Sequence, residues 1–170
     1  MHYFNKGSKK LSSLSPGLRR ILFFYLLSTL LAFWLSGMKY LLRGLLLPES
    51  IRKYYLGSGE DQLLGGEVGK SLSFLVDVTH PHLFTVPLVL MVLAHILQLC
   101  HYSQRLKNFV FLSAFTGFVL TFAGPWMVPL APGMALLIPV GGSLLLLAGT
   151  LLCLLSLLEL VKSARAGKAR

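Results

Sequence analysis

Residues 77–101 read DVTHPHLFTVPLVLMVLAHILQLCH, and the rest of the chain is organised around this stretch. It holds four of the five histidines of the protein, which are His80, His82, His95 and His101. After Asp77 it contains no acid, lysine or arginine, and about 20 apolar residues are enough for a helix to cross a bilayer. The stretch therefore predicts a membrane-spanning helix that carries imidazole side chains.

The composition is that of an integral membrane protein. Of the 170 residues, 55% are hydrophobic and 13% are charged, whereas about 25% of the residues of a soluble domain are charged. The net charge of +10 comes from basic residues that flank apolar runs. This arrangement favours contact with membrane lipids and argues against a nucleic-acid partner.

Four apolar runs predict four spans, at about residues 21–42, 81–101, 109–126 and 134–160. The segment GPWMVPLAPG separates the last two, and we expect Pro48 to end the first. Residues 1–20 form a basic N-terminal segment, residues 48–77 a polar loop with a short amphipathic piece near its start, and residues 162–170 a basic, disordered tail. In the second span we expect Pro81 at the first helical position, with Thr79 or His80 as the N-cap.

The distribution of charge predicts the orientation. If the N-terminus is cytoplasmic, the inner segments carry most of the lysines and arginines, whereas the outer loop holds basic and acidic residues in equal number. We therefore predict an all-α, integral membrane four-helix bundle in a bacterial inner membrane, with residues 21–161 as the transmembrane domain and both termini cytoplasmic. His80 and His82 then lie near the periplasm, and His95 and His101 near the cytoplasm.

Helix geometry separates the histidines into two groups. At about 100° per residue, His80, His95 and His101 share a broad face, and His82 points elsewhere. We expect His95 to be buried, with Gln98 as a candidate hydrogen-bonding partner one turn away.

The first functional interpretation is a b-type haem, whose iron is held by one or two axial ligands, usually His or Met. The candidate iron ligands are His80 and His95, with His82 and His101 as further cofactor-binding candidates. No other predicted span contains a histidine, so the second ligand would come from a methionine, from a sister chain in a homodimer or from a partner subunit.

The second interpretation is a quinone or proton site at the outer face, formed by Asp77, His80 and His82. A histidine can bind a quinone carbonyl, and a nearby carboxylate can orient the ring and raise its basicity. The same three side chains could hold zinc or copper.

The structural alternative assigns no cofactor to the histidines. In it His80 caps a helix, His82 and His101 lie in the interfacial regions, and His95 bonds to a neighbouring helix. No GxSxG, HExxH or phosphate-loop pattern occurs, so we expect no catalytic activity of the chain's own. The absence of CxxCH excludes covalent haem attachment, and Cys100 and Cys153 fit small apolar fillers.

The motif THPHLF, followed by the in-helix histidine of LAHIL and preceded by a Tyr-Tyr-x-Gly loop, resembles a loose family of proteins. These are small four-span bacterial membrane proteins associated with respiratory electron-transfer modules and multihaem c-type cytochromes. The resemblance covers about residues 54–101 and implies a membrane subunit at the level of quinone or haem b, with His80, His82 and His95 as the relevant positions. It also implies a periplasmic c-type cytochrome as electron-transfer partner.

The function predicted from the sequence is therefore a membrane subunit of a respiratory or photosynthetic electron-transfer complex, which binds haem b or quinone through the second span. The alternative is a purely structural or assembly subunit of a larger membrane complex, without a cofactor.

Overall fold

The structure is a computed structural model, and it describes residues 11–58 and 68–168. The described residues form five α-helices, four of which are long and apolar enough to cross a membrane. They are α1 (Pro16–Leu42), α2 (Pro48–Leu56), α3 (Leu72–Gln98), α4 (Gln104–Met127) and α5 (Leu137–Lys168), with short 3₁₀ helices at Leu11–Ser13 and Pro132–Leu136. The predicted all-α, four-span fold is confirmed. Residues 1–10 and 59–67, which belong to the predicted N-terminal segment and loop, lie outside the described residues.

The first span begins earlier than predicted. The Ser15 side chain accepts a hydrogen bond from the Leu18 amide, and Pro16 occupies the first turn, where its missing N–H has no cost. The helix ends at Leu42 and is followed by Gly44, whose φ of 64° turns the chain. Pro48 does not end this helix but starts α2, the predicted amphipathic piece.

The predicted start of the second span is wrong by nine residues, because Ser71 rather than Thr79 or His80 caps the helix. The Ser71 hydroxyl accepts from the Phe74 amide at 3.2 Å. Pro81 therefore lies inside α3, as does Pro87. An internal proline removes one helical hydrogen bond and loosens the local turn. Two side chains bond to carbonyls of that region, Thr85 to Pro81 and His82 to Val78.

The third span is longer than predicted at both ends, whereas the fourth begins three residues later than predicted and extends further at its C-terminal end. Helix α4 starts at Gln104 and includes Pro125, so the predicted break begins only after Met127. Helix α5 continues to Lys168, so the prediction of a disordered tail over residues 162–170 is wrong for residues 162–168.

The two ends of the bundle differ in chemistry. The basic end carries Arg19, Arg20, Arg105 and Lys162, and there Arg19 Nη1 donates to the Ser163 carbonyl at 3.4 Å. The opposite end, called the α2 end, carries α2 and the connection between α4 and α5. At the α2 end, Trp126 Nε1 donates to Thr79 Oγ1 at 3.0 Å and ties α4 to α3.

Helices α4 and α5 form the centre of the bundle. Helix α3 packs against both, and α1 packs mainly on α5. The main core is apolar throughout and joins all four spans; its fully buried members include Leu26, Leu90, Leu93, Val110 and Leu152. A smaller core lies under α2, around Ile51, Val128, Ala135 and Ile138.

Glycines bring the backbones of α4 and α5 into contact. A Cβ added at Gly141 would lie 2.6 Å from the Thr121 amide nitrogen and 2.9 Å from the Gly117 carbonyl oxygen. A Cβ added at Gly117 would lie 2.8 Å from the Gly141 carbonyl oxygen. Small residues at such crossings allow close van der Waals packing between spans, which replaces the hydrophobic effect as a source of association in lipid.

We predict that Gly141→Ala destabilises the protein by about 1–3 kcal/mol, because the added methyl meets backbone atoms that cannot move independently. The adjacent variant Gly142→Ala is the matched control, since nothing lies within 4 Å of a Cβ at that position. The measurement is the free energy of unfolding in mixed micelles by detergent titration. Equal stability of the two variants would contradict the close approach.

Candidate functional site

An inter-helix cavity of about 560 Å³ opens at the α2 end of the bundle. All four spans line it, and α2 covers it. Its aromatic lining includes Phe33, Tyr40, Tyr54, Tyr55 and Phe122, and His82 contributes an imidazole. Mostly apolar walls with a few polar groups are typical of sites for small amphipathic ligands.

His82 is held in a defined orientation within this cavity. Its Nδ1 lies 2.6 Å from the Val78 carbonyl oxygen, and because a carbonyl only accepts, Nδ1 carries the proton. The ring stacks on Phe122, with 5.1 Å between the centroids and 30° between the planes. In the neutral imidazole, Nε2 is then an acceptor, and none of the described residues hydrogen-bonds to it.

Two cations of α1, Lys39 and Arg43, also line the cavity. Neither side chain forms a hydrogen bond or salt bridge with another described residue, and no acid occurs among the described residues that line the cavity. The described part of the cavity lining therefore carries positive charge near its polar end. Such a field favours an electron-rich or anionic head group.

Two tyrosines of α2 complete the polar end. The rings of Tyr54 and Tyr55 meet edge to face at 5.0 Å, and Lys70 Nζ lies 4.6 Å from the Tyr54 ring centroid. Burial, and secondarily the neighbouring Tyr40 and Tyr54, raise the pKa of Tyr55 above its ordinary value. Tyr55 is therefore a neutral phenol at physiological pH and can act as a hydrogen-bond donor.

The predicted cluster of Asp77, His80 and His82 does not converge on one point. Asp77 and His80 are exposed on the outward side of α3, and the His80 ring contacts Phe84 edge to face at 5.6 Å. Among residues 11–58 and 68–168, no group of three His, Cys, Asp or Glu side chains could hold a metal ion. Of the three, the structure places only His82 in the cavity.

The prediction that His95 is buried is wrong. The side of α3 that packs into the bundle carries Leu90, Leu93, Ile96 and Leu97, and His95 lies on the opposite, exposed side. Its expected partner Gln98 is exposed as well, and the described residues show no hydrogen bond between the two side chains. His80 and His95 share the outward side of α3, as predicted, whereas His82, which is also exposed, lies on another side and stacks on Phe122 of α4.

His101 lies beyond the end of α3 and pairs with a residue that sequence reasoning did not consider. Its Nδ1 contacts Glu159 Oε1 of α5, whose side chain is 11% exposed. A signal for this pair was present, because Glu159 is the only acid after Asp77 and it lies in an apolar run. His101 thus has a partner within the chain and is not a free ligand.

Lys107 also belongs to the basic end, where it is buried. Its Nζ donates to the Gln98 carbonyl at 3.0 Å and to the Cys100 carbonyl at 2.7 Å. It therefore satisfies carbonyls that the end of α3 leaves without helical donors. Burial, and secondarily Glu159, raise the pKa of the Cys100 thiol to about 11, so this thiol stays protonated.

The four spans and their packing define an α-helical, multi-pass integral membrane protein. A family model matches residues 45–167, a region that includes α2, α3, α4 and nearly all of α5 but not α1. The chain belongs to this family, Aq_1264_TM, described as a transmembrane helical domain. No curated protein and no solved structure matches the chain.

We predict that His101→Ala lowers the free energy of unfolding by about 1 kcal/mol, because it leaves a buried carboxylate without its partner. The control is His80→Ala, which removes an exposed imidazole that has no hydrogen bond with a described residue. A double-mutant cycle with Glu159→Ala measures the coupling. A coupling energy of zero would show that the contact does not stabilise the fold.

Proposed function

We propose that this protein is a membrane subunit of a respiratory or photosynthetic electron-transfer complex, and that it binds a quinone in the cavity at the α2 end. The observation that carries the proposal is the His82 imidazole in an aromatic cavity, whose Nδ1 proton lies on the Val78 carbonyl and whose Nε2 has no hydrogen-bond partner in the part of the chain that the structure describes. The resemblance of the THPHLF region to electron-transfer membrane proteins supports the same function.

The chemistry of the lining suits a quinone and its quinol. The quinone carbonyls accept hydrogen bonds, and Tyr55 and the Lys39 ammonium are donors in the lining. The quinol hydroxyls donate, and Nε2 of His82 is the matching acceptor. Apolar residues such as Val86, Leu145 and Leu146 line the rest of the cavity and suit the isoprenoid tail.

His82 also provides a place for a proton. Oxidation of a quinol releases two protons and two electrons; Nε2 accepts one proton while Nδ1–H stays on the Val78 carbonyl, and the other proton passes to water at the opening of the cavity. Phenolate formation at Tyr55 is disfavoured, so the imidazole is the better base. The electrons pass to a redox partner, for which the resemblance suggests a periplasmic c-type cytochrome.

The structure gives haem b less support than quinone. His80 and His95 are separated by 15 residues of one helix, about 22 Å along its axis, and cannot both bind one iron in the same chain. His101 is engaged with Glu159. A haem on His95 would therefore have this histidine as its one axial ligand, or take a second ligand from a methionine or from another chain.

We further propose that the basic end faces the cytoplasm of a bacterial inner membrane. Arg19, Arg20, Arg105 and Lys162 lie at this end, and basic residues accumulate on the cytoplasmic side of membrane proteins. The cavity then opens toward the periplasmic side, where a soluble cytochrome can approach it.

The quinone site predicts a specific loss of affinity. His82→Phe keeps a ring against Phe122 but removes the acceptor nitrogen, so the Kd for a short-chain quinol or a hydroxyquinoline N-oxide analogue should rise about tenfold. Tryptophan or inhibitor fluorescence in detergent measures this Kd. His80→Phe is the matched control, two residues away on the same helix but outside the cavity, and its Kd should equal that of the wild type.

If His82→Phe and His80→Phe bind the analogue equally well, or if the wild type does not bind it, the quinone proposal fails. That result would favour the alternative of a structural subunit without a cofactor.

The orientation has its own test. Green fluorescent protein fused to the C-terminus should fluoresce, and alkaline phosphatase fused after Gly57 should be active, because only the periplasm supports its disulfides. The exchanged pair of reporters should be inactive. An active phosphatase at the C-terminus would reverse the orientation.

A further inference from the structure

We propose that the outward face of α3 is the interface with a second copy of this chain. This face, called the α3 seam, consists of exposed residues at every third or fourth position of the helix. They are Asp77, His80, Phe84, Leu88, Met91, His95 and Gln98. The proposal does not depend on quinone binding, which concerns the other side of the helix.

The spacing of the α3 seam is that of a helix–helix contact. Six steps lead from Asp77 to Gln98 over 21 positions, a mean of 3.5 residues. A face with this period stays turned toward a partner helix that crosses at a small left-handed angle. The three central residues, Phe84, Leu88 and Met91, are apolar and strongly exposed, at 71%, 57% and 59%.

The polar residues of the α3 seam distinguish it from a surface that lipid alone covers. The exposed faces of α1, α4 and α5 consist mainly of large apolar residues, such as Leu31, Leu112 and Leu147, which lipid tails solvate well. The α3 seam instead has two polar residues on each side of its apolar centre. Polar side chains in spans usually face protein rather than lipid.

None of these four polar side chains forms a hydrogen bond or ion pair with another residue in the described ranges 11–58 and 68–168. Asp77 and His80 lie toward the α2 end, and His95 and Gln98 lie toward the basic end. Their hydrogen-bonding capacity is therefore available to a partner at two depths of the membrane.

A second copy complements this pattern because all copies insert in the same direction. A two-fold axis normal to the membrane then places each residue of the α3 seam opposite residues of equal depth. His80 lies one turn from Asp77 on the same face, so the Asp77 carboxylate of one copy and the His80 imidazole of the other, an acceptor and a donor, lie in neighbouring layers of the contact. His95 and Gln98 meet their own copies, and a neutral imidazole and a carboxamide each carry both a donor and an acceptor.

Disulfide cross-linking in native membranes tests the interface. Leu88→Cys at the centre of the α3 seam should form a covalent dimer of twice the chain mass on oxidation with copper phenanthroline. Leu112→Cys is the matched control, because Leu112 is 60% exposed at a similar depth on α4, and it should remain monomeric. The wild type serves as background, since Cys100 and Cys153 are buried.

A covalent dimer at Leu88→Cys alone supports the proposal. A product that joins this chain to a different protein assigns the α3 seam to another subunit and overturns it. The absence of a product, or equal cross-linking at Leu112→Cys, assigns the seam to lipid or to random collision and also overturns it.

A second measurement separates the role of the polar residues from that of shape. His95→Leu should shift the monomer–dimer equilibrium in detergent toward the monomer on dilution, as read from single-molecule photobleaching counts. His82→Leu makes the same chemical change on the cavity side of the same helix and should leave the counts unchanged. Equal counts for His95→Leu and the wild type would contradict a role for His95 in the interface.

Discussion

Backbone contact between α4 and α5 at Gly117 and Gly141 is the constraint on which the rest of the molecule depends. Lipid tails are as apolar as leucine, so a membrane bundle gains little from hiding apolar side chains and relies on close packing. Two helices in backbone contact form a rigid pair, and α3 and α1 pack on its sides. The walls of the cavity contributed by α4 and α5 thus belong to the most tightly packed part of the protein.

The placement of His82 follows from this arrangement and from the early start of α3. Because Ser71 rather than a residue near Pro81 caps the helix, His82 lies about two fifths of the way into the span. At that depth its ring reaches Phe122 of the central pair and its Nδ1 reaches Val78 of its own helix. The imidazole is therefore oriented by one contact on α4 and one on α3.

Much of the fold was predictable, and less of the candidate site. Four spans followed from the length of the apolar runs, and the different direction of His82 followed from 100° per residue. The predicted helix ends were less accurate. Sequence rules place a proline such as Pro81 at the start of a helix, but α3 is capped by Ser71 and continues through Pro81 and Pro87. The burial of His95 could not be read from one sequence, since every face of α3 is apolar enough to be the packed one. The cavity depends on how four helices meet, which no local pattern encodes.

Helix α1 lies outside the region that matches the family, yet it contributes Lys39 and Arg43 to the cavity. It packs mainly on α5, whereas the glycine contact that holds α4 and α5 together lies entirely within the matched region. The glycine contact and the two cations of the cavity thus lie in different helices. Lys39 and Arg43 are exposed side chains, so substitutions at these two positions can change the charge of the cavity lining without touching the glycine contact of the central pair.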